Sequence, residues 1–222
     1  MPALVKRIAQ FVLVTFACVA GFSPAARAVD DGSPVRIVAL GDSLTAGYGL
    51  PPGGALPAKL ARALAQKGVS ATIANAGVSG DTVSGGLGRL AWSVPEGTEA
   101  VVLALGANDA LRGINPKVTA AALEKILARL KERRIAVLLC GMRAPPNMGA
   151  EFVGAYDRLF EGLAEKYGVI YYPFLLEGVA ADRRLNLPDG IHPNAAGVDA
   201  IVARILPQVE ELIARARAAR GT

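Results

Sequence analysis

The chain has 222 residues, 52% of them hydrophobic and 5% aromatic, with 24 basic against 19 acidic side chains and a formal charge of +5 at neutral pH. No basic stripe interleaved with aromatics is present, so nucleic-acid binding has no support. One histidine, with one cysteine beyond residue 28, is too few for a usual zinc site, and neither a Walker-type loop nor a G-x-G-x-x-G turn opening a helix occurs.

In chain order, Lys6 and Arg7 precede a twelve-residue apolar run, 11–22, and Ala26-Arg27-Ala28 gives the small-x-small pattern of a cleavage site. This predicts a secretory signal peptide over 1–28, cut after Ala28 and implying a periplasmic or secreted product. Twelve apolar residues are too few to span ~30 Å of hydrocarbon, so no stable membrane insertion is expected after cleavage. Thr15-Phe16-Ala17 before Cys18 is a poor lipobox, which argues against a lipoprotein. Loss of Lys6, Arg7 and Arg27 leaves 21 basic against 19 acidic residues, a charge of +2, so much of the basic excess belongs to the targeting segment. The remaining 29–222 suits one domain with a sizeable core. It retains Cys140 alone, which excludes an intramolecular disulfide and reads as a small buried hydrophobe.

Short apolar runs then alternate with helical patterns. Residues 35–40 read as a buried strand, 56–67 as a helix stopped at Gly68, and 71–74 as a short strand. A helix follows over 82–91, with Asp81 as N-cap. Residues 100–105 are a fully apolar strand. The 116–133 segment is a strong helix, with Asn115 as cap and Pro116 in the first turn. A strand over 135–139, a helix over 151–167 closed by Gly168, a strand over 169–171 and a final helix over 194–219 complete the chain, with fraying expected from Pro207. Near-continuous apolar strands separated by helices predict a parallel sheet covered on both faces, a three-layer α/β fold. In such sheets sites lie outside the carboxyl ends of the strands, here after Leu40, Asn75, Leu105 and Cys140.

Those ends carry chemistry. Gly41-Asp42-Ser43-Leu44 sets a serine on a tight strand-to-helix turn, the placement of a nucleophile. A serine hydroxyl needs a base, and His192 is the only histidine. Asp189 precedes it by three residues across a glycine turn, a spacing that sets a carboxylate against Nδ1 and leaves Nε2 for Ser43. Gly80, in a glycine-bearing loop after the second strand, and Asn108, after the third, offer an N–H and a side-chain amide. With the Ser43 N–H they make three donors for an oxyanion. Read singly, Gly80 is a turn glycine and Asn108 an Asx-turn or cap residue; together, at successive strand ends, they read as a site.

In order and spacing, Gly41-Asp42-Ser43-Leu44, Gly80, Gly106-Ala107-Asn108-Asp109 and Asp189-Gly190-Ile191-His192-Pro193 resemble the four blocks of the SGNH/GDSL hydrolase superfamily, over nearly all of 35–204. Residues 42–49, 105–113 and 141–149 look most like the bacterial periplasmic acyl-CoA thioesterase I/lysophospholipase/arylesterase group. The resemblance implies a five-stranded parallel sheet of flavodoxin-like type and no cofactor or metal. It also implies hydrolysis of small-molecule acyl esters and thioesters (fatty acyl, lysophospholipid or aryl) through an acyl-serine. The group often has a tyrosine where Met148 stands, so its chain-length preference does not carry over. An apolar acyl trough is expected from Leu111, Ile114, Pro145, Pro146 and Met148. The alternatives are a carbohydrate acetyl-esterase, against which the apolar 142–149 loop argues, and a non-catalytic secreted lipid-binding protein.

Overall fold

The structure, a computed structural model, describes residues 32–220. The segment read as a signal peptide lies outside the described residues. Five strands, β1 (Val35–Gly41), β2 (Ala71–Gly77), β3 (Ala100–Ala104), β4 (Ala136–Cys140) and β5 (Ile170–Tyr172), form one sheet in the order β2-β1-β3-β4-β5, with every neighbour parallel. The helices are α1 (Ser43–Ala46), α2 (Leu56–Gln66), α3 (Val83–Gly88), α4 (Leu90–Ser93), α5 (Ala107–Leu111), α6 (Pro116–Glu132), α7 (Ala150–Tyr167) and α8 (Ala195–Ala219). The apolar stripe of α8 packs on the sheet beside α2, and α6 packs with α3 and α7 across the other face, giving three α/β/α layers.

Burial follows strand position. Every residue of central β3 is buried, because both its faces are covered, whereas β2 at the edge alternates between half-buried and exposed. The core runs through Leu40, Leu103, Leu123, Ile126, Phe160 and Ile205. Cys140 sits fully within it, and burial pushes its thiol up to about 12, which leaves it unreactive. The chain leaves β1 towards β2 on one side and returns to β3 on the other. The carboxyl ends of β1 and β3 therefore flank a crevice at the point where strand order reverses, the natural ligand position in this topology.

Three local expectations change. The 82–91 helix is two helices, because Arg89 closes α3 and opens α4 with a non-helical backbone. Its N-cap is Thr82, whose hydroxyl accepts from the Gly85 N–H at 3.1 Å; the Asp81 carboxylate is taken by Arg89 instead. The last helix does not fray at Pro207. It runs unbroken to Ala219 because Ile205, Val209 and Leu212, buried on either side of the proline, pack on the sheet and offset the lost hydrogen bond.

Candidate active site

The site is assembled from loops at the carboxyl edge of the sheet. β1 ends at Gly41, where a Cβ would stand 2.0 Å from Thr45 Oγ1 and 2.8 Å from the Ala104 carbonyl oxygen, so only glycine admits the tight turn. Asp42 caps the short α1 by accepting the Leu44 N–H at 3.0 Å. Ser43 is the first residue of that turn, and its own N–H has no partner within the helix. The side chain is nearly covered, at 8% exposure, but it faces a cavity.

The second loop comes from the other end of the chain. His192 Nε2 lies 2.9 Å from Ser43 Oγ and its Nδ1 lies 2.7 Å from Asp189 Oδ2. Asp189 Oδ1 accepts the N–H groups of Ile191 and His192 at 2.9 and 3.0 Å. Those two N–H groups, together with the imidazole, hold the Asp189 carboxyl down to about 2, so it is ionised wherever the protein works. An ionised partner at Nδ1 places the proton of the neutral ring there and leaves the Nε2 lone pair to accept from the Ser43 hydroxyl. The loop is pinned from below: Leu187 N–H donates to the His192 carbonyl at 2.7 Å, and the Asn194 amide donates to the carbonyls of Arg184 and Asn186. The Tyr48 ring covers one face of the imidazole with centroids 4.4 Å apart.

The third set is donors. Gly80 has a left-handed backbone, φ 81°, and its N–H has no partner among the described residues; its carbonyl accepts from Arg112 at 2.7 Å. Asn108, in the first turn of α5, donates its amide to the Asp81 carbonyl at 2.9 Å and, at 3.4 Å, to the Asp42 carboxylate. Asp42 is fully buried beside Ser43, and desolvation pushes its carboxyl up to about 6 against the pull of its hydrogen bonds and of His192.

Ser43, Asn108 and His192 open onto a cavity of about 780 Å³. Its walls are mainly apolar, with Leu111, Met142, Pro145, Pro146, Val153, Phe174 and Leu176 among them. Arg143 and Asp157 also reach the lining, but the guanidinium stacks 4.9 Å over Phe174 and Asp157 accepts the Ala144 N–H at 3.0 Å. Of the five trough residues expected from sequence, Leu111, Pro145 and Pro146 line the cavity, and Ile114 and Met148 do not. Ile114 is spent on the turn after α5, its N–H on the Asp109 carbonyl, and Met148 extends its methyl towards Gly113. Among the described residues no group of three or more His, Cys, Asp or Glu side chains is arranged to hold a metal.

With this geometry in hand, the comparisons decide the family: residues 39–200 match the GDSL-like lipase/acylhydrolase family. The chain belongs to that family. An arylesterase of Vibrio mimicus is 36% identical over 182 residues, covering 82% of this chain and 87% of the relative. The thioesterase 1/protease 1/lysophospholipase L1 of Escherichia coli K12 is 34% identical over 178 residues, covering 80% and 84%. The crystal structure of AlinE4, an SGNH-hydrolase family esterase, superposes with a TM-score of 0.69 at 44% identity, covering 81% of this chain and 97% of that one. As a GDSL-family member the protein is an enzyme, a serine hydrolase of carboxylic esters, and the three-layer fold is the one its SGNH relatives share.

Several residues around the site escape a reading by motif. Phe174, Leu176 and Ala181 of the cavity wall come from the 173–181 loop, which has no periodicity to betray it. Arg89 is visible only as a lone cation in a glycine-rich apolar stretch, and nothing in one dimension says that it points inward.

Proposed function

We propose that Ser43, His192 and Asp189 are the catalytic triad of this hydrolase, and that the Ser43 N–H, the Gly80 N–H and the Asn108 amide form its oxyanion hole. The supporting observation is the unbroken line from Asp189 through His192 to Ser43 Oγ, at 2.7 and 2.9 Å, at the mouth of the apolar cavity. His192 Nε2 takes the Ser43 proton as Oγ attacks the carbonyl carbon of the ester or thioester. Asp189 stabilises the imidazolium that results. The tetrahedral oxyanion rests on the three donors. Collapse expels the alcohol or thiol, which receives its proton from His192, and leaves an acyl-serine. Water, deprotonated by His192, repeats the attack and releases the acid.

The substrate class follows from the cavity and the relatives' names together. An apolar volume of about 780 Å³ fits an acyl chain longer than acetyl, and the relatives are named for aryl ester, thioester and lysophospholipid substrates. The preferred substrates are therefore medium-chain fatty acyl esters and thioesters, with lysophospholipid and aryl esters as members of the same class. The enzyme works outside the cytoplasm, after loss of residues 1–28. Among the described residues no helix is long and apolar enough to cross a membrane. A mature N-terminus other than Val29 would refute cleavage after Ala28.

A fluorophosphonate probe should label the wild-type protein at Ser43. Ser43→Ala should lose labelling and at least about 10⁴-fold in kcat with its thermal melt unchanged. Labelling elsewhere, or substantial activity in the purified variant, refutes the triad.

A further inference from the structure

We propose that Arg89, which lines no part of the cavity, is the positioning residue that holds the oxyanion hole in register; the inference rests on the oxyanion reading above. Arg89 sits at the joint between α3 and α4 and is 7% exposed. Four of its five N–H groups are used in four directions. Nε donates to Asp81 Oδ2 at 2.6 Å, and Nη2 donates to the Gly41 carbonyl at 2.8 Å. Nη1 donates to the Ala76 carbonyl at 2.8 Å and to Ser93 Oγ at 2.9 Å.

Three of the four acceptors lie one short link from a donor of the hole, while Ser93 anchors the guanidinium to α4. The Gly41 carbonyl closes β1 two residues before Ser43. The same carbonyl accepts the Val78 N–H at 3.1 Å, which ties the Gly80 loop to the nucleophile strand. Asp81 follows Gly80 directly, and its carbonyl holds the Asn108 amide at 2.9 Å. The Ala76 carbonyl fixes the end of β2, where that loop begins. Gly85 leaves room for the arrangement, since a Cβ there would stand 2.0 Å from Asp81 Oδ1. Three donors from three strand ends thus share one buried cation as brace.

A hole of this kind works only if its donors are fixed before charge develops. Strand pairing fixes the strands but not the loops beyond them, and the Arg89 bonds supply that missing constraint. A planar guanidinium fork is required, because the acceptors diverge and an ammonium, with three donors at a single point, cannot span them.

The test is Arg89→Lys, assayed on a short p-nitrophenyl ester so that chain binding plays no part. The expected result is a folded protein with a lower melting temperature, kcat reduced roughly 10- to 100-fold and KM within about threefold of wild type. Phosphonylation by a fluorophosphonate, whose phosphoryl oxygen uses the same donors, should slow in parallel. In an Asn108→Ala background the Arg89→Lys loss in kcat should shrink to less than about threefold, since a hole already missing a donor gains less from being held. A purely structural arginine predicts full additivity with Asn108→Ala, or kcat within about twofold of wild type, and either result overturns the proposal. If Arg89→Lys does not fold, Asp81→Asn decides. It keeps the backbone carbonyl on Asn108 and weakens only the ion pair, so kcat should fall several-fold at constant KM, and an unchanged kcat overturns the brace. Asn108→Ala alone tests the hole itself: loss of about 10²–10³ in kcat is expected, and its absence removes the oxyanion reading separately from Arg89.

Discussion

Asp42 shows how a residue can serve a site at a cost to the fold. Its side chain caps the Ser43 turn and touches the Asn108 amide, yet it is fully buried with no arginine or lysine in hydrogen-bond contact. Desolvation is the largest influence on its carboxyl and raises it from 3.8 to about 6. The folded state therefore holds this proton more tightly than the unfolded chain does. Its contribution is most favourable below 3.8, declines as pH rises towards about 6, and is flat above. Asp42→Asn keeps an oxygen for the Leu44 N–H and removes the buried charge, at the loss of the long 3.4 Å contact from the Asn108 amide. The variant should be more stable than wild type at pH 8, by on the order of 1–3 kcal/mol, with the advantage vanishing near pH 4. Melting curves at the two pH values check this, and equal differences at both would show that the buried charge is not the cause.

At the scale of elements, the site is a meeting of loops rather than a property of any one of them. The serine turn, the Gly80 loop and α5 follow adjacent strands, while the His192 loop is brought in by α8. The cavity proposed as the acyl trough lies between α5, the 141–148 loop and α7, so its length is set by the distance between elements. Each buried methylene is worth roughly 0.8 kcal/mol, and kcat/KM should climb several-fold per added carbon until the trough is full. Val153, on α7, lines it, and Val153→Trp should cut activity on octanoyl esters towards the acetyl level while leaving acetyl esters unaffected. Met148→Ala should leave chain-length preference unchanged, because that side chain reaches towards Gly113 and not into the trough. A series of p-nitrophenyl esters from acetyl to palmitoyl reads both; a best rate on acetyl would restore the carbohydrate acetyl-esterase alternative.

For the molecule as a whole, stability and activity are placed at opposite ends of one sheet. Where the strands begin, Arg220 grips Glu99 at 2.5 and 3.1 Å and Ser33 Oγ at 2.8 Å, joining the two ends of the described chain. Arg220 is the first cause holding the Glu99 carboxyl below its usual range, aided by the Arg36 N–H at 2.9 Å. A depressed carboxyl gives stability that is full above about 4.5 and is lost as pH falls through the folded value. Glu99→Gln should therefore lower the unfolding free energy at pH 7 by about 1–2 kcal/mol after allowance for partial exposure, and less at pH 3, as denaturant melts at the two pH values would read. Its kcat/KM should match wild type, since no strand-end loop of the site is touched. A loss of activity without loss of stability would contradict this separation. The pH signature is opposite to that of Asp42, so the two variants distinguish a carboxylate the fold rewards from one it tolerates.

Much was legible in the residues themselves. The alternation of apolar runs with helical periods dictates a covered parallel sheet, because a strand buried on both faces has no polar side to show. Ser43, Gly80, Asn108 and the Asp189–His192 pair stand out because they follow strand ends, where this topology puts ligands, and because a lone histidine three residues from an aspartate has an obvious partner. The start of α6 at Pro116 was visible from its Asn115 cap, which acts within a few positions. What depended on long-range packing was not visible: that Arg89 breaks a helix and turns inward to four acceptors from 41 to 93, that Phe174 and Leu176 wall the cavity while Met148 and Ile114 are not among its lining residues, and that Pro207 leaves α8 intact. Pattern and local propensity act over a few residues, and so the sequence by itself determined the sheet and which polar residues stand at its carboxyl ends. Only the tertiary structure decided which side chains from distant loops converge, because that choice is made by the packing of elements whose separation in sequence carries no periodic signal.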